Sequence, residues 1–180
     1  LTMEQMWYET GRVYKLWVDE VNKHTPFISP IFSSNLCNEI MLPTWGFEDV
    51  QGLYDKKLKE TEVNSEIALC FLAALVAGRI TPEEYEDVAY YAALMIDNTM
   101  EIMEYPFPQM ESTAKARRSI GVGITNLADH MAVNGRSYTT HSGKKFIHDH
   151  AEMHSFYLHK ASLRLARERG VADWIGKTKY

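Results

Sequence analysis

The chain has 180 residues, of which 46% are hydrophobic, and this length and composition suffice for the packed core of one domain. Its formal net charge of -5 offers no basic face for a phosphate backbone, and no apolar run approaches the roughly 20 residues that cross a bilayer. We therefore expect a cytoplasmic globular protein whose partners are neither nucleic acid nor membrane.

The first half of the chain carries one helix signal and several extended ones. Helical spacing ahead of Gly11 predicts a helix over residues 3–10. Short apolar runs predict three strands, over residues 12–18, 35–42 and 66–72. The longer apolar run at residues 67–77 fits a strand and a helix equally well by periodicity, so Cys70 could lie on either.

Helical signals dominate the second half. Thr81 and Glu84 form a capping box around Pro82, which is typical of a helix start and predicts a helix over residues 82–103. The elements predicted after it are a strand over residues 119–124 and helices over residues 125–134 and 143–169. Strands separated by helices of this length indicate βα units with parallel strands, so the sequence predicts an α/β fold.

The segment at residues 34–43 combines an amide, a thiol and a carboxylate at alternate positions. In an extended chain Asn35, Cys37 and Glu39 lie on the same side, which makes a poor structural core and a plausible functional site. Two other interpretations of Cys37 remain open, a small buried hydrophobic residue in a turn and the nucleophile of a cysteine protease. Glu39 argues against the nucleophile, because a carboxylate raises the pKa of a nearby thiol, whereas a nucleophilic thiolate needs a cationic neighbour.

Other reactive side chains give weaker signals. The two cysteines, Cys37 and Cys70, are too few for a disulfide framework, so each is an inert thiol or a chemically used one. His150 and His154 have the spacing of two metal-binding imidazoles on one helix. They interleave with the apolar stripe of the last helix and lack the glutamate of a zinc protease motif, so we expect core or surface histidines and no metal ligand.

Five ordered blocks of the chain carry a resemblance to one enzyme family. Residues 34–44 have the sequence SNLCNEIMLPT, which resembles the finger-loop signature of the large, alpha subunit of class I (aerobic) ribonucleotide reductases. Four further blocks resemble other segments of that subunit in the same order: residues 10–27, 66–70, 105–108 and 117–126. The resemblance is collinear over nearly all of the chain and is therefore far more specific than any single motif.

The resemblance implies a fold and a set of site residues. The expected fold is part of a ten-stranded α/β barrel, helix-rich here, with residues 34–44 as the finger loop that threads its centre. Cys37 would hold the thiyl radical that abstracts the 3′ hydrogen of the substrate, and Glu39 would be the general base toward the 3′ hydroxyl. Asn35 would hydrogen-bond the ribose hydroxyls, with Leu36 beside it in the substrate site. Cys70 would be one of two thiols that reduce the ribose and close to a disulfide.

The family also implies cofactors and partners. No cofactor would be bound directly by this segment, because the radical comes from a dimetal small subunit, and magnesium would arrive with the nucleotide phosphates. The expected partners are the remaining segments of the large subunit, the small subunit, thioredoxin or glutaredoxin as reductant, and a ribonucleoside diphosphate as substrate.

Residues 1–180 would form a partial catalytic barrel domain, either an excerpt of a larger subunit or one piece of a split subunit. The second redox thiol of the family has no counterpart here, since Cys37 and Cys70 are the two cysteines present. We therefore expect that the isolated chain does not turn over. The alternative is a non-catalytic helical interaction domain descended from such an enzyme, in which both cysteines are buried and unused.

Overall fold

The computed structural model describes residues 2–54 and 65–180, and within these residues the chain divides into two compact units. The first unit combines Leu1–Cys70, Tyr105–Ala116 and Asp173–Tyr180, and the second combines Phe71–Glu104 and Arg117–Ala172. The helices and strands in chain order are α1 (Met3–Thr10), α2 (Val18–His24), β1 (Leu72–Val76), α3 (Tyr85–Ile102), α4 (Pro108–Arg117), β2 (Gly121–Thr125), α5 (Leu127–Val133) and α6 (His141–Arg169). Short 3-10 helices cover Val50–Tyr54 and Ile175–Lys177. None of the helices in the described ranges is long and apolar enough to cross a membrane.

Helix α1 occupies the residues that the sequence predicted. The Thr2 side chain accepts a hydrogen bond of 3.3 Å from the Gln5 amide, which satisfies one of the free donors of the first turn. Gly11 ends the helix in the left-handed conformation with φ 64°, which a glycine adopts without a Cβ clash. Both ends of α1 are therefore encoded locally.

The strand predicted over residues 12–18 is wrong. Residues 12–17 have no regular structure, and α2 begins at Val18. Tyr14 and Trp17 are 61% and 75% exposed, so the apolar run does not cover a buried face that would hold a strand. Helix α2 instead has Asp19 and Glu20 in its first turn and basic residues in its last, the charge order that the helix dipole favours.

The second unit is built on two parallel strands. β1 pairs with β2 in the register Leu72 with Gly121 to Val76 with Thr125. The parallel arrangement expected from the sequence is confirmed. The strand predicted over residues 66–72 is wrong, because the strand there covers Leu72–Val76, and the one predicted over residues 119–124 is shifted to Gly121–Thr125. The apolar run after Cys70 is thus a strand.

Helices α3 and α6 pack together in the second unit. Their contact includes Tyr90 and Ala93 from α3 with Ala161 and Leu165 from α6, all buried. The predicted capping box forms, since the Thr81 amide donates to the Glu84 carboxylate over 3.1 Å, but the regular helix starts one residue after Glu84. The helices predicted over residues 82–103, 125–134 and 143–169 are confirmed with shifts of at most three residues at their ends.

Helix α4 was not predicted from the sequence. Its buried residues are Gln109, Thr113, Ala114 and Ala116, which are small or polar, so no apolar stripe marks its inner face. In the described residues the fold is helix-rich with a two-stranded parallel sheet, which confirms the α/β expectation at this coarser level.

Candidate active site

The chain reverses direction between Asn35 and Ile40, and Cys37 lies inside this turn. The Asn38 amide donates to the Asn35 carbonyl over 3.1 Å, and the Asn35 amide donates to the Ile40 carbonyl over 3.2 Å. Asn38 has φ 63°, in the left-handed region. The strand predicted over residues 35–42 is therefore wrong, because two asparagines supply turn geometry where the alternation of polar and apolar residues indicated an extended chain.

The Asn35 side chain holds the turn from inside. Its Oδ1 accepts hydrogen bonds from the amides of Glu39 and Ile40, at 3.1 and 3.0 Å. Its Nδ2 donates to Glu39 Oε1 over 2.6 Å. The alternation of polar and apolar residues predicted Asn35 and Glu39 on one side of a strand. The structure does bring the two side chains together, but through a turn.

The tip of the turn is open to solvent. Leu36 is 88% exposed, and Cys37 is an exposed free thiol. The interpretation of Cys37 as a small buried hydrophobic residue therefore does not hold. Asn38, the next residue, has a buried side-chain atom, unlike the exposed tip. Its Oδ1 accepts no hydrogen bond from the described residues.

Cys70 completes the set of predicted site residues. Its thiol is free and exposed, and its pKa is raised above the usual 9.0, first by partial desolvation of the sulfur and then by repulsion from Glu39 and Cys37. Glu39 and Cys37 are thus each close enough to Cys70 to act on its thiol electrostatically, although Cys70 follows Cys37 by more than thirty residues in the printed sequence. Such an environment keeps Cys70 as a protonated thiol at neutral pH.

The approach to Cys70 is set by a short antiparallel contact after the turn. Trp45 and Glu66 exchange backbone hydrogen bonds of 3.0 and 3.1 Å, and Thr44 Oγ1 donates to the Glu66 carbonyl over 2.9 Å. Glu66 is only 1% exposed. Because of this pairing, the residues just before Cys70 run alongside the residues that follow the turn. Sequence reasoning did not assign this role to Thr44, Trp45 or Glu66, because pairing between distant single residues leaves no periodic signal.

The segment that enters the turn is fixed by Asn22 of α2. Asn22 Nδ2 donates to the Ile31 carbonyl and Asn22 Oδ1 accepts from the Ile31 amide, both over 2.7 Å. Ile31 is 1% exposed, so the backbone is anchored at a buried point a few residues before Asn35. Asn22 belongs to one of the blocks that carry the family resemblance, but nothing in its spacing predicted this clamp.

The histidines of α6 behave as structural residues. His154 is buried, its Nδ1 lies 2.8 Å from the Tyr85 hydroxyl, and its Nε2 lies 2.8 Å from the Val122 carbonyl, so both ring nitrogens are used. His150 is packed against the Tyr85 ring, and burial, followed by repulsion from His130 and His154, lowers its pKa below 6.5. The expectation of core histidines is confirmed for His154.

One exposed group on α6 has ligand atoms close together. Atoms of His148, Asp149 and Glu152 lie within 4.8 Å of one another. The Lys145 ammonium binds both oxygens of Asp149, at 2.8 and 2.6 Å, and this ion pair competes with any cation for the same carboxylate. The group lies on a solvated helix face, and we do not propose a metal centre there.

Comparisons with known proteins show the family to which this chain belongs. The family model described as ribonucleotide reductase, barrel domain, matches residues 2–180. The ribonucleoside-diphosphate reductase subunit alpha of Haemophilus influenzae is 37% identical over 175 residues, which cover 95% of this chain and 22% of that protein. The ribonucleoside-diphosphate reductase 1 subunit alpha of Escherichia coli is 37% identical over 174 residues, with the same coverage. The subunit alpha of Enterobacteria phage T4 is 34% identical over 180 residues, covering 95% of this chain and 21% of that protein.

The chain belongs to the ribonucleotide reductase barrel-domain family. These three relatives carry the name of the alpha subunit, which confirms the resemblance carried by residues 34–44. The chain spans about a fifth of the length of these curated relatives.

Proposed function

We propose that this chain supplies the radical-bearing part of the catalytic barrel of a ribonucleoside-diphosphate reductase large subunit, with Cys37 as the thiyl radical site. The observation that carries the proposal is the hydrogen bond of 2.6 Å from Asn35 Nδ2 to Glu39 Oε1, in the turn that leaves Cys37 exposed. The amide and the carboxylate are thus in contact, and the sulfur is exposed between them in the same turn, a set of groups that suits one ribose ring.

Each side chain has the chemistry that its proposed role demands. As a thiyl radical, Cys37 takes the 3′ hydrogen atom of the ribose and becomes a thiol, which is feasible because S–H and activated C–H bonds have similar strengths. Glu39 accepts the proton of the 3′ hydroxyl, and the bond from Asn35 keeps its carboxylate in place for that transfer. Asn35 also presents donor and acceptor groups to the ribose hydroxyls, and exposed Leu36 lies beside them at the substrate face.

Cys70 has the reducing role. It donates electrons with a second thiol from outside this chain, so that the 2′ hydroxyl leaves as water and the two sulfurs become a disulfide. The steps balance, since the two thiols supply two electrons and two protons, Glu39 returns the proton to the 3′ oxygen, and the Cys37 thiol returns its hydrogen atom to C3′ and becomes a thiyl radical again. A raised pKa at Cys70 supports this role, because a thiol that stays protonated delivers hydrogen to the substrate.

The wider assembly follows from the family. The two parallel strands of this chain would join strands from the remaining segments of the large subunit in the ten-stranded barrel, and residues 1–180 would be one part of that domain. The radical would come from a dimetal small subunit, thioredoxin or glutaredoxin would reduce the disulfide, and magnesium would accompany the ribonucleoside diphosphate. The enzyme would be cytoplasmic.

Replacing the sulfur tests the proposal against the non-catalytic alternative. In the large subunit assembled with its small subunit, we expect Cys37→Ser to abolish formation of deoxyribonucleotide while the melting temperature stays unchanged. Ser33→Ala is the matched control, because Ser33 is exposed in the same segment and has no proposed role. Full turnover of Cys37→Ser would instead identify the chain as an interaction domain.

A further inference from the structure

Asn38 differs from the other residues of the turn in its backbone. Its φ of 63° lies in the left-handed region, and among the described residues the other non-glycine positions with positive φ are Arg118 and Asn126. Asparagine adopts this conformation more readily than most residues, whereas β-branched residues are strongly disfavoured there. The identity of residue 38 therefore matters for the backbone at the point that follows Cys37.

The left-handed conformation of Asn38 affects how Glu39 and Ile40 lie relative to Asn35. Rotation about φ of Asn38 moves Glu39 and Ile40 relative to Asn35, and the amides of both these residues donate to Asn35 Oδ1. The hydrogen bond from the Asn38 amide to the Asn35 carbonyl, at 3.1 Å, closes the turn on the other side. A change of this φ to the ordinary negative range would leave the Asn38 amide on the Asn35 carbonyl but move the Glu39 carboxylate relative to the Asn35 side-chain amide.

The side-chain contacts of Asn38 explain the presence of asparagine less well than its backbone conformation does. Its Oδ1 is buried and accepts no hydrogen bond from the described residues. A buried acceptor without a donor is unfavourable, so the amide group by itself gives no reason for asparagine at this position. The tolerance of asparagine for positive φ does give a reason for its presence at residue 38.

We propose that Asn38 is a positioning residue, whose left-handed backbone fixes the turn that leaves Cys37 exposed and places the Glu39 carboxylate on the Asn35 amide. The inference rests on the proposed function and deepens it, because it names the residue that sets the geometry between the radical sulfur and the general base. It acts through Cys37 and Glu39 and does not itself contact the substrate.

The test uses a set of variants ordered by their tolerance of positive φ, in the large subunit assembled with its small subunit. Asn38→Gly and Asn38→Asp keep the left-handed conformation accessible, and we expect kcat within about threefold of the unaltered enzyme. Asn38→Val strains it, and we expect kcat to fall by about tenfold or more, with a smaller change in KM. Ser33→Val, the same substitution at an exposed position outside the positive-φ set, is expected to leave both constants unchanged.

A second measurement does not depend on turnover. With Cys37 replaced by serine, the pH midpoint for alkylation of Cys70 reports first the partial desolvation of its sulfur and then the repulsion from Glu39. Asn38→Val should lower that midpoint relative to Asn38→Gly, because the displaced carboxylate no longer repels the thiolate. If the valine variant does not assemble, Asn38→Ala takes its place with a smaller expected loss of kcat.

The outcomes separate this inference from the proposed function. If Asn38→Gly loses as much kcat as Asn38→Val, the side chain and not the backbone matters, and the inference is overturned. Equal kcat and equal alkylation midpoints for the glycine and valine variants overturn it as well. Neither result touches the radical role, which fails only if Cys37→Ser retains turnover in the same assay.

Discussion

The Asn35 side-chain amide donates to the Glu39 carboxylate over 2.6 Å while its oxygen accepts the amides of Glu39 and Ile40. One side chain therefore both shapes the turn and orients the proposed general base. This double role makes the two functions of Asn35 separable by substitution, because the oxygen and the nitrogen of its amide have different partners.

Asn35→Asp should keep the turn and damage the chemistry. An aspartate oxygen still accepts the two backbone amides, but its second oxygen faces the Glu39 carboxylate and repels it. We expect kcat to fall by about a hundredfold, within the range that loss of general base catalysis gives. Circular dichroism and the melting temperature of the assembled subunit should change little.

Asn35→Ala, compared with Asn35→Asp, removes both functions of the side chain at once. It removes the acceptor of two backbone amides and the donor to Glu39, so we expect a loss of kcat together with a lower melting temperature. Equal kcat for Asn35→Asp and the unaltered enzyme would show that the amide nitrogen does not orient Glu39.

Alkylation of Cys70 should follow a pH profile with a midpoint above 9.0. Partial desolvation is the main cause of the raised pKa, and repulsion from Glu39 and then Cys37 adds to it. Below the midpoint the thiol is protonated and alkylation is slow, so Glu39→Gln should move the midpoint to lower pH. The rate of iodoacetamide labelling, followed by mass spectrometry with Cys37 replaced by serine, gives the profile.

A suitable control for this profile is Glu48→Gln. Glu48 is an exposed carboxylate that is absent from the causes of the shift at Cys70. A midpoint that moves as far with Glu48→Gln as with Glu39→Gln would mean that net charge, and not the neighbouring carboxylate, controls the thiol.

The helices were predictable because their signals are local. The capping box of Thr81 and Glu84 and the glycine after α1 specify helix ends within one turn of the residues concerned. Helix α4 escaped prediction because its buried side chains are small or polar, and hydrophobic periodicity cannot detect such a face.

The sequence predicted a set of candidate site residues but not the geometry in which the structure places them. Alternation placed Asn35 and Glu39 together for the wrong reason, since a strand and the observed turn both bring these positions to one side. The left-handed Asn38 leaves no periodic signal, and the approach of Cys70 depends on the pairing of Trp45 with Glu66, a contact between segments far apart in the chain. The roles of the residues came from the family resemblance, which spacing alone could not supply.

Asp97 of α3 should be important for the stability of the second unit. Its buried carboxylate accepts hydrogen bonds from Arg118 Nε at 2.8 Å and Arg169 Nη1 at 2.7 Å. Burial raises the pKa of Asp97, but the two arginines outweigh it, and the pKa is lowered below 3.8. Asp97→Ala leaves both guanidinium groups without this partner, and we expect a loss of about 2 kcal/mol in the free energy of unfolding.

Asp97 should also make the stability of the second unit fall at acidic pH. Because the folded pKa of Asp97 lies below the unfolded value, its contribution is complete above pH 3.8 and is lost as the pH falls through the folded pKa. Urea titrations at neutral and acidic pH measure both effects. Asp149→Ala is the control, since its ion pair with Lys145 is exposed and should matter far less; equal losses for the two variants would contradict the importance of burial.

His150 should make the second unit sensitive to mild acid. Burial, then repulsion from His130 and His154, lowers its pKa below the 6.5 of an unfolded chain. The unfolded state therefore binds more protons in the interval between the two values. The contribution of neutral His150 to stability is complete above pH 6.5 and is lost as the pH falls through the folded pKa.

His150→Phe isolates this effect. Phenylalanine keeps a ring against Tyr85, where the His150 ring now lies with its centroid 6.0 Å away, and it removes the titrating group. The melting temperature of the variant should fall less between about pH 8 and about pH 5 than that of the unaltered protein. His148→Phe, at an exposed position on the same helix, should keep the original pH dependence. If both variants show the original dependence, another group titrates, and the buried imidazole of His150 is not the acid-sensitive element.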